Sequence, residues 1–253
     1  MSMKLTFEGR TALVTGASQG IGRAIALALS LAGVRVIGAA RRSALIDALS
    51  EQAQSAGGRP IDSLGFDMAE PGASRSLAAA AVDLAGGAID ILVNAGGASR
   101  PIALQSPDAE WNEAMQIGFF SPRELTHALL PGMCARNWGR VVSITGTSEP
   151  QFLSASTPAK AALHAWSKGV SLEVARNGVT LNCIQPGRIR SEQLMRRLPT
   201  PDDERRYAEQ LPMGRLGEAE ELAAAALFLV SSEAAYVSGV VLPVDGSFRR
   251  FAF

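Results

Sequence analysis

The part of the sequence with the clearest chemical meaning is a glycine-rich run from Thr15 to Gly22, between an apolar stretch and a helical pattern. Its glycines follow a Gly-x3-Gly-x-Gly spacing. Glycines let the backbone turn tightly and approach a pyrophosphate, and a helix N-terminus offers free N–H groups and a positive dipole end. We therefore predict a binding loop for the phosphates of a dinucleotide. The residues expected to form it are Gly16, Ser18, Gln19, Gly20, Ile21 and Gly22.

The end of the next apolar stretch predicts which dinucleotide binds. It contains Arg41 and Arg42 and has no acidic residue before Asp47. A carboxylate at this point binds the adenosine ribose and repels a 2′-phosphate, whereas an arginine accommodates the phosphate. We therefore predict that NADP(H) is preferred over NAD(H) and that the two arginines lie beside its 2′-phosphate.

Strands and helices must alternate to position these residues. Apolar runs without polar alternation indicate strands buried on both faces, as in a parallel sheet covered by helices. Such runs cover 11–15, 34–39, 61–66, 89–94, 140–145, 179–184 and 240–244, with helical patterns near 20–31, 43–56, 73–85, 108–136, 156–176 and 217–230. The alternation predicts right-handed crossovers and a doubly wound (Rossmann) α/β fold. We expect a seven-stranded parallel sheet with helices on both faces, in a single domain over 1–253.

Composition excludes several classes of protein. The chain has 253 residues, of which 47% are hydrophobic, and a formal net charge of zero, which argues against a nucleic-acid partner. It has neither a signal-type apolar run at its start nor a stretch long enough to span a membrane. Two lone cysteines fit a reducing compartment, so we expect a cytoplasmic protein. His127 and His164 have no ligand-spaced companions, so no metal site is expected.

One segment, 190–216, interrupts the alternation and is rich in Arg, Pro and acidic residues. At the carboxyl ends of the strands such a segment is typical of a lid over the substrate. Arginines crowd it and the residues just before it: Arg188, Arg190, Arg196 and Arg197. They would suit a substrate with a carboxylate or phosphate, such as an acyl carrier conjugate. The alternative is a solvated lid helix whose charge is matched by Asp202, Asp203 and Glu204.

Several motifs together resemble the short-chain dehydrogenase/reductase family. Residues 15–22 resemble its T-G-x-x-x-G-I-G signature, 94–97 part of its N-N-A-G stretch, 186–191 its P-G-x-I-x-T segment, and 236–246 its final helix–strand unit. The resemblance covers the whole chain. It implies further contacts with the cofactor from Asp67, Met68, Asn94, Ala95, Gly96, Lys160, Pro186, Gly187, Ile189 and Ser191.

The same resemblance implies an unusual active site. The family uses Asn, Ser, Tyr and Lys, in which Tyr is the general acid/base and Lys lowers its pKa and holds the nicotinamide ribose. Lys160 matches the lysine, but Ser156 stands at the Tyr position, Gly146 at the Ser position and Gly118 at the Asn position. We therefore expect Lys160 and Ser156 to be the catalytic residues that are left.

Ser156 and Lys160 share a helix face because they are four residues apart. An alkyl hydroxyl is a far weaker acid than a phenol, so roughly 100- to 10,000-fold in rate is at stake unless another group supplies the proton. The candidates are Lys160 acting through a water, Ser156 as a relay, Glu149 in the loop beside the substrate, and His164 one turn beyond Lys160. We expect the first.

Three functions are consistent with this pattern. The leading one is an NADP(H)-dependent oxidoreductase acting on a carbonyl or alcohol; the alternatives are a non-catalytic cofactor-binding subunit or sensor and a structural assembly protein. The resemblance also implies a homotetramer or homodimer built on the helices over 108–136 and 156–176. Aromatic residues in the tail, Phe248, Phe251 and Phe253, support an oligomer unless they fold back on their own subunit.

Overall fold

A computed structural model describes residues 5–7, 9–97, 100–147 and 149–250. Phe251 and Phe253 of the tail lie outside these ranges. The strands are β1 (Thr11–Thr15), β2 (Arg35–Ala40), β3 (Ile61–Gly65), β4 (Ile91–Asn94), β5 (Gly139–Ile144), β6 (Val179–Pro186) and β7 (Val241–Val244). The helices are α1 (Gly20–Leu31), α2 (Ala44–Ser55), α3 (Ala73–Ala85), α4 (Asp108–Met115), α5 (Ser121–Ala135), α6 (Ser156–Val174), α7 (Glu192–Met195), α8 (Pro201–Ala208) and α9 (Ala219–Val230).

The strands form one seven-stranded sheet in the order β3-β2-β1-β4-β5-β6-β7, and every neighbouring pair is parallel. The predicted α/β fold is therefore confirmed. From β1, the chain first builds towards β3 and then returns to build from β4 to β7. The switch point lies between β1 and β4, where the carboxyl ends of the strands diverge and ligands bind in such sheets.

Two apolar cores cover the two faces of the sheet. Successive residues of a strand point to opposite faces, and accordingly Ala12 and Val14 pack into one core while Leu13 packs into the other. The first core takes its helical residues from α1, α2 and α9, and the second from α3, α5 and the end of α6. The helices on both faces explain why the strands have no polar alternation.

The long helical pattern predicted over 108–136 is interrupted, which corrects the sequence-based expectation. A π-helical turn, Gln116–Phe120, separates α4 from α5. Such turns occur often at functional sites, and this one contains Gly118. Among the described residues, no helix is both long and apolar enough to cross a membrane.

Candidate active site

Glycine is required at two positions of the phosphate loop because backbone atoms crowd them. A Cβ at Gly16, where φ is +69°, would lie 2.8 Å from the amide nitrogen of Gly96. A Cβ at Gly22 would lie 2.4 Å from the carbonyl oxygen of Gly16. The loop thus folds tightly between the ends of β1 and β4, and α1 begins at Gly20.

A threonine that sequence reasoning missed joins the two strands at the switch point. The Thr15 hydroxyl accepts hydrogen bonds from the amides of Ala95 at 3.2 Å and Gly96 at 3.3 Å. Met68 closes the other side, since a Cβ at Gly96 would lie 2.7 Å from its sulfur. The position of Thr15, directly before the first glycine, was the available signal.

Asn94 forms hydrogen bonds with other buried side chains. Its side-chain amide donates to the Thr126 hydroxyl at 3.2 Å and to the Ser143 hydroxyl at 3.4 Å. The residue is buried, and its carbonyl oxygen Oδ1 has no partner among the described residues. Asn94 therefore ties β4 to α5 and β5 beneath the candidate site.

The two arginines after β2 lie beside the phosphate loop. Arg42 donates to the side-chain oxygen of Gln19, and Arg41 lies 3.9 Å from the carboxylate of Asp67. Asp67 also accepts a hydrogen bond from the amide of Ala69 at 3.0 Å. The ends of β2 and β3 thus lie beside the start of α1.

Lys160 lies buried at the carboxyl end of β5. Its ammonium nitrogen Nζ donates to the carbonyl oxygen of Ile144 at 3.1 Å. Burial lowers the pKa of Lys160 to about 8, and Cys183 acts weakly in the opposite direction. A Cβ at Gly97 would lie 3.3 Å from Nζ, so the loop after β4 passes close to the ammonium.

Ser156, one turn before Lys160, bonds to a neighbouring loop. Its hydroxyl accepts a hydrogen bond from the backbone amide of Arg100 at 2.8 Å. Close by, the Ser154 hydroxyl donates to the carbonyl oxygen of Arg100 at 3.0 Å, and a single antiparallel bridge joins Pro101 to Ser154. These contacts form a short ribbon between the loop after β4 and the segment that leads into α6.

The two glycines at the expected Asn and Ser positions differ in their surroundings. A Cβ at Gly118 would lie 2.7 Å from the Ala159 methyl, whereas a Cβ at Gly146 would have no neighbour nearer than the Lys160 Cγ at 4.0 Å. A cavity of about 10 Å³ adjoins Gly118, Lys160 and Ser156. Such a volume is about the minimum that holds one water.

His164 hydrogen-bonds to the loop after β5. Its ring nitrogen Nε2 lies 2.7 Å from the Thr145 hydroxyl, which itself donates to the carbonyl oxygen of Ile184 at 3.0 Å. The Thr145 hydroxyl oxygen therefore accepts a hydrogen bond from the Nε2–H group of the ring. Burial lowers the pKa of His164, and the charge of Lys160 lowers it further. This bonding orients the imidazole as a structural group.

The C-terminal tail reaches the loop that borders the site. The Glu149 carboxylate accepts a hydrogen bond from the backbone amide of Arg250 at 2.9 Å. The guanidinium carbon of Arg188 lies 5.0 Å from the ring centroid of Phe248, and Arg188 donates to the Gln151 side chain at 2.6 Å. Phe248 thus folds back on its own subunit.

The segment from Pro186 to Ser191 is pinned on both sides. A Cβ at Gly187 would lie 2.5 Å from the Asp245 Cα, and Ile189 pairs with Gly217. The Ser191 hydroxyl caps α7 by accepting from the amide of Leu194 at 3.3 Å.

The lid predicted over 190–216 contains the two short helices α7 and α8, and its arginines fall into two groups. Arg190 forms ion pairs with Glu204 of this segment and with Glu218 just after it. Arg196 and Arg197 are exposed, and the guanidinium of Arg196 lies 4.0 Å from the Glu192 carboxylate. In the described part of the chain, no three His, Cys, Asp or Glu side chains are grouped as metal ligands would be.

Comparison with known proteins identifies the family. A family model described as Enoyl-(Acyl carrier protein) reductase matches residues 16–248, which is most of the chain. The chain belongs to the short-chain dehydrogenase/reductase family. The 3-oxoacyl-[acyl-carrier-protein] reductase FabG of Escherichia coli K12 is 36% identical over 246 residues, which are 96% of this chain and 98% of that protein. Galactitol 2-dehydrogenase of Cereibacter sphaeroides is 35% identical over 247 residues, 95% of each chain.

Solved structures of short-chain dehydrogenases/reductases share the fold. A 3-oxoacyl (acyl-carrier-protein) reductase from Agrobacterium tumefaciens C58 with NADP bound has a TM-score of 0.88 and 33% identity, and the match covers 94% of this chain and 93% of that one. The RhlG/NADP active-site complex of Pseudomonas aeruginosa has a TM-score of 0.87 and 34% identity, over 96% and 97% of the two chains. The architecture predicted from the sequence is thus that of the short-chain dehydrogenases/reductases.

Proposed function

We propose that this chain is an NADPH-dependent reductase of a carbonyl substrate, in which Lys160 supplies the proton through a water. The observation that carries the proposal is the position of Lys160. Its ammonium is buried at the end of β5, burial lowers its pKa to about 8, and it adjoins a cavity of about the size of one water. A group that titrates near neutral pH is suited to general acid catalysis there.

The residues at the switch point fit a dinucleotide phosphate group. The loop is packed so tightly at Gly16 and Gly22 that a Cβ would collide with backbone, and the side chain of Gln19 at the N-cap does not bond to the amides that begin α1. Backbone N–H groups at such a helix start bind phosphate oxygens. The residues that would hold NADP(H) are the phosphate loop from Gly16 to Gly22, the segments 41–42, 67–68 and 94–96, Lys160, and the segment from Pro186 to Ser191 with its Ile189 and Ser191.

Arg41 and Arg42 support the choice of NADP(H). Both are exposed beside the phosphate loop, and Gln19 holds Arg42 there. Among the structural neighbours, both the Agrobacterium reductase and the Pseudomonas RhlG protein are described with NADP. The guanidinium groups give a 2′-phosphate charge-assisted hydrogen bonds that a ribose hydroxyl does not match.

The chain's own residues would complete the reduction. The chemistry that NADPH would supply when bound is a hydride for the carbonyl carbon. The proton passes from the Lys160 ammonium through the water to the carbonyl oxygen, which gives an alcohol and leaves a neutral lysine to regain a proton from solvent. Ile144 holds Nζ at 3.1 Å, and its carbonyl keeps the ammonium directed at the end of β5 during this step.

The reaction would run without the usual phenol. Ser156 at the Tyr position bonds to the Arg100 amide, and neither Gly146 nor Gly118 carries a side chain that orients a carbonyl. The same substitutions favour a second candidate function, a non-catalytic NADP(H)-binding subunit or sensor. A third, purely structural role is disfavoured by the tightly formed phosphate loop.

The relatives and the surface charge support a proposal for the substrate class. FabG proteins are named for 3-oxoacyl groups on acyl carrier protein, so a 3-oxoacyl thioester is the first substrate to test. Arg196 and Arg197 on the lid are exposed and suit an anionic carrier group.

We also propose a cytoplasmic homotetramer or homodimer built on the helices over 108–136 and 156–176. Phe120 and Leu172 on these helices are exposed by 40% and 66%, which is typical of a surface that a partner covers. Light scattering that gave the mass of one chain would exclude the oligomer.

The deciding experiment measures NADPH oxidation against a panel of carbonyl compounds together with the affinity for NADPH. Turnover of any carbonyl at a rate above that of the Lys160→Ala variant supports the reductase. Tight NADPH binding with no turnover of any carbonyl would support the non-catalytic candidate instead. No NADPH binding would contradict both.

A further inference from the structure

A second cation borders the small cavity beside Lys160. The cavity is lined by Arg100 as well as by Gly97, Gly118, Ser156 and Lys160. The terminal nitrogen Nη2 of Arg100 donates to the Glu113 carboxylate at 2.8 Å. Its inner nitrogen Nε is buried and has no hydrogen-bond partner among the described residues. A charged donor group thus stands at this cavity with one N–H unused.

The backbone of Arg100 is held by the start of α6. Its amide donates to the Ser156 hydroxyl at 2.8 Å, and its carbonyl oxygen accepts from the amide of Ala155 at 3.1 Å and the hydroxyl of Ser154 at 3.0 Å. Glu113 in α4 holds the guanidinium end. Both ends of the residue are therefore fixed, and Ser156 helps to fix one of them. The small side chain at position 156 therefore helps to determine where Arg100 lies.

A guanidinium is suited to binding and polarising the carbonyl oxygen of the substrate. It donates several hydrogen bonds in a fixed plane and stays charged, so it polarises a carbonyl oxygen without giving up a proton. A fixed donor stabilises the negative charge that develops on that oxygen, and removal of one such donor commonly costs about 100- to 1000-fold in rate. Lys160, whose ammonium can lose a proton, is suited to delivering a proton to that oxygen.

We propose that Arg100 is a catalytic residue whose guanidinium binds the carbonyl oxygen of the substrate. It takes the orienting role that Gly146 and Ser156 do not fill, while Lys160 delivers the proton. This inference rests on the proposed reductase function and extends it by naming the group that polarises the substrate.

The test compares Arg100→Ala and Arg100→Lys with Arg176→Ala as a matched control. Arg176 is an exposed arginine 16 residues after Lys160, about 24 Å along the chain at the rise of a helix. The probe is the acetoacetyl thioester of N-acetylcysteamine, a neutral compound, so that the effect reports on the carbonyl and not on a charged carrier. Thermal unfolding verifies that each variant is folded.

We expect Arg100→Ala to lower kcat/KM about 100-fold while its affinity for NADPH stays within about twofold of the unmodified protein. Added guanidinium chloride at millimolar concentration should restore part of kcat in this variant only. Arg100→Lys should keep an intermediate rate. A kcat/KM equal to that of Arg176→Ala would overturn the inference. So would a loss of rate that comes with an equal loss of NADPH affinity and no rescue by guanidinium.

A binding measurement separates failure of this inference from failure of the proposed function. If the unmodified protein does not reduce the probe, calorimetry measures the 3-hydroxybutyryl thioester of N-acetylcysteamine binding to the protein with NADP⁺. At least tenfold weaker binding by Arg100→Ala supports Arg100 as the oxygen-binding group although the reductase proposal fails. Equal binding by the two proteins, or binding by neither, overturns the assignment of Arg100 as the oxygen-binding group.

Discussion

The candidate site has glycines both in the phosphate loop and after β5, and these glycines differ in whether packing requires them. At Gly22 in the phosphate loop a Cβ would lie 2.4 Å from a backbone oxygen, whereas at Gly146 after β5 the nearest atom would be 4.0 Å away. The first glycine is required by packing. The second is not, so packing does not prevent a side chain at position 146.

Gly118 lies between these extremes. Its neighbour is the methyl group of Ala159 at 2.7 Å, which is a side chain and not the backbone. An asparagine at 118 would therefore need α6 to shift next to Lys160. The comparison teaches that the proposed cofactor half is constrained by backbone contacts, whereas Gly118 and Gly146, at the expected catalytic positions, differ in what an added side chain would meet.

The largest effect is expected at Lys160, the proposed acid. Lys160→Ala should lower kcat for carbonyl reduction by about 100- to 10,000-fold, because it removes the proposed acid. NADPH affinity should fall only modestly. Lys168→Ala, an exposed lysine on the same helix, is the control. Brisk turnover by Lys160→Ala would place the proton path elsewhere, with Glu149 and His164 as the next residues to test.

A matched pair of glycine substitutions tests the comparison directly. Gly22→Ala should lower the free energy of unfolding by about 1–3 kcal/mol and weaken NADPH binding, because the added methyl meets backbone. Gly146→Ala should change the free energy of unfolding by less than about 0.5 kcal/mol. Urea unfolding and NADPH titration of the two variants measure both effects. Equal costs at the two positions would remove the distinction between the halves.

Cofactor choice tests the other end of the phosphate loop. NADPH should bind at least about tenfold tighter than NADH, which corresponds to about 1.4 kcal/mol. Arg41→Asp should reverse that order, because a carboxylate repels the 2′-phosphate. Arg75→Asp on α3, an exposed arginine away from the loop, should leave it unchanged. Equal affinity of the unmodified protein for the two cofactors would contradict the assignment.

The last prediction is a pH dependence. Because burial lowers the pKa of Lys160 to about 8, the ammonium form is present below that pH and is lost above it. The rate of reduction should therefore be constant below this pKa, fall to half near pH 8 and decline further as the pH rises. A rate that stays flat to pH 10 would show that Lys160 is not the acid. The measurement is kcat at saturating NADPH from pH 6 to 10.

The sequence predicted the fold and the tight glycine turn before α1 well because both depend on local signals. Buried strands show as unbroken apolar runs, and the glycines before α1 have a specific spacing. The π turn at Gln116–Phe120 was not predicted, since its residues continue a helical pattern. A helix of one type interrupted by a turn of another leaves no periodicity signal.

The surroundings of Ser156 could not be predicted from the sequence. The hydrogen bond from the Arg100 amide joins residues 56 positions apart, and the types of the two residues do not predict it. The same holds for Arg188, which the sequence suggested as a substrate contact and which instead bonds to Gln151 and lies against Phe248. Long-range pairing between loops depends on the packed structure and not on local preference.

The ribbon between the loop after β4 and the segment before α6 has a consequence for how this chain tolerates changes in length. Pro101 pairs with Ser154, and Ile102 donates from its amide to the carbonyl oxygen of Leu153 at 3.3 Å. A slip by one residue in such a pairing reverses the side on which each side chain lies. A single-residue insertion between Glu149 and Leu153 can be absorbed in the outer loop, but one between Leu153 and Ser156 would displace Arg100 without any change to Arg100 itself.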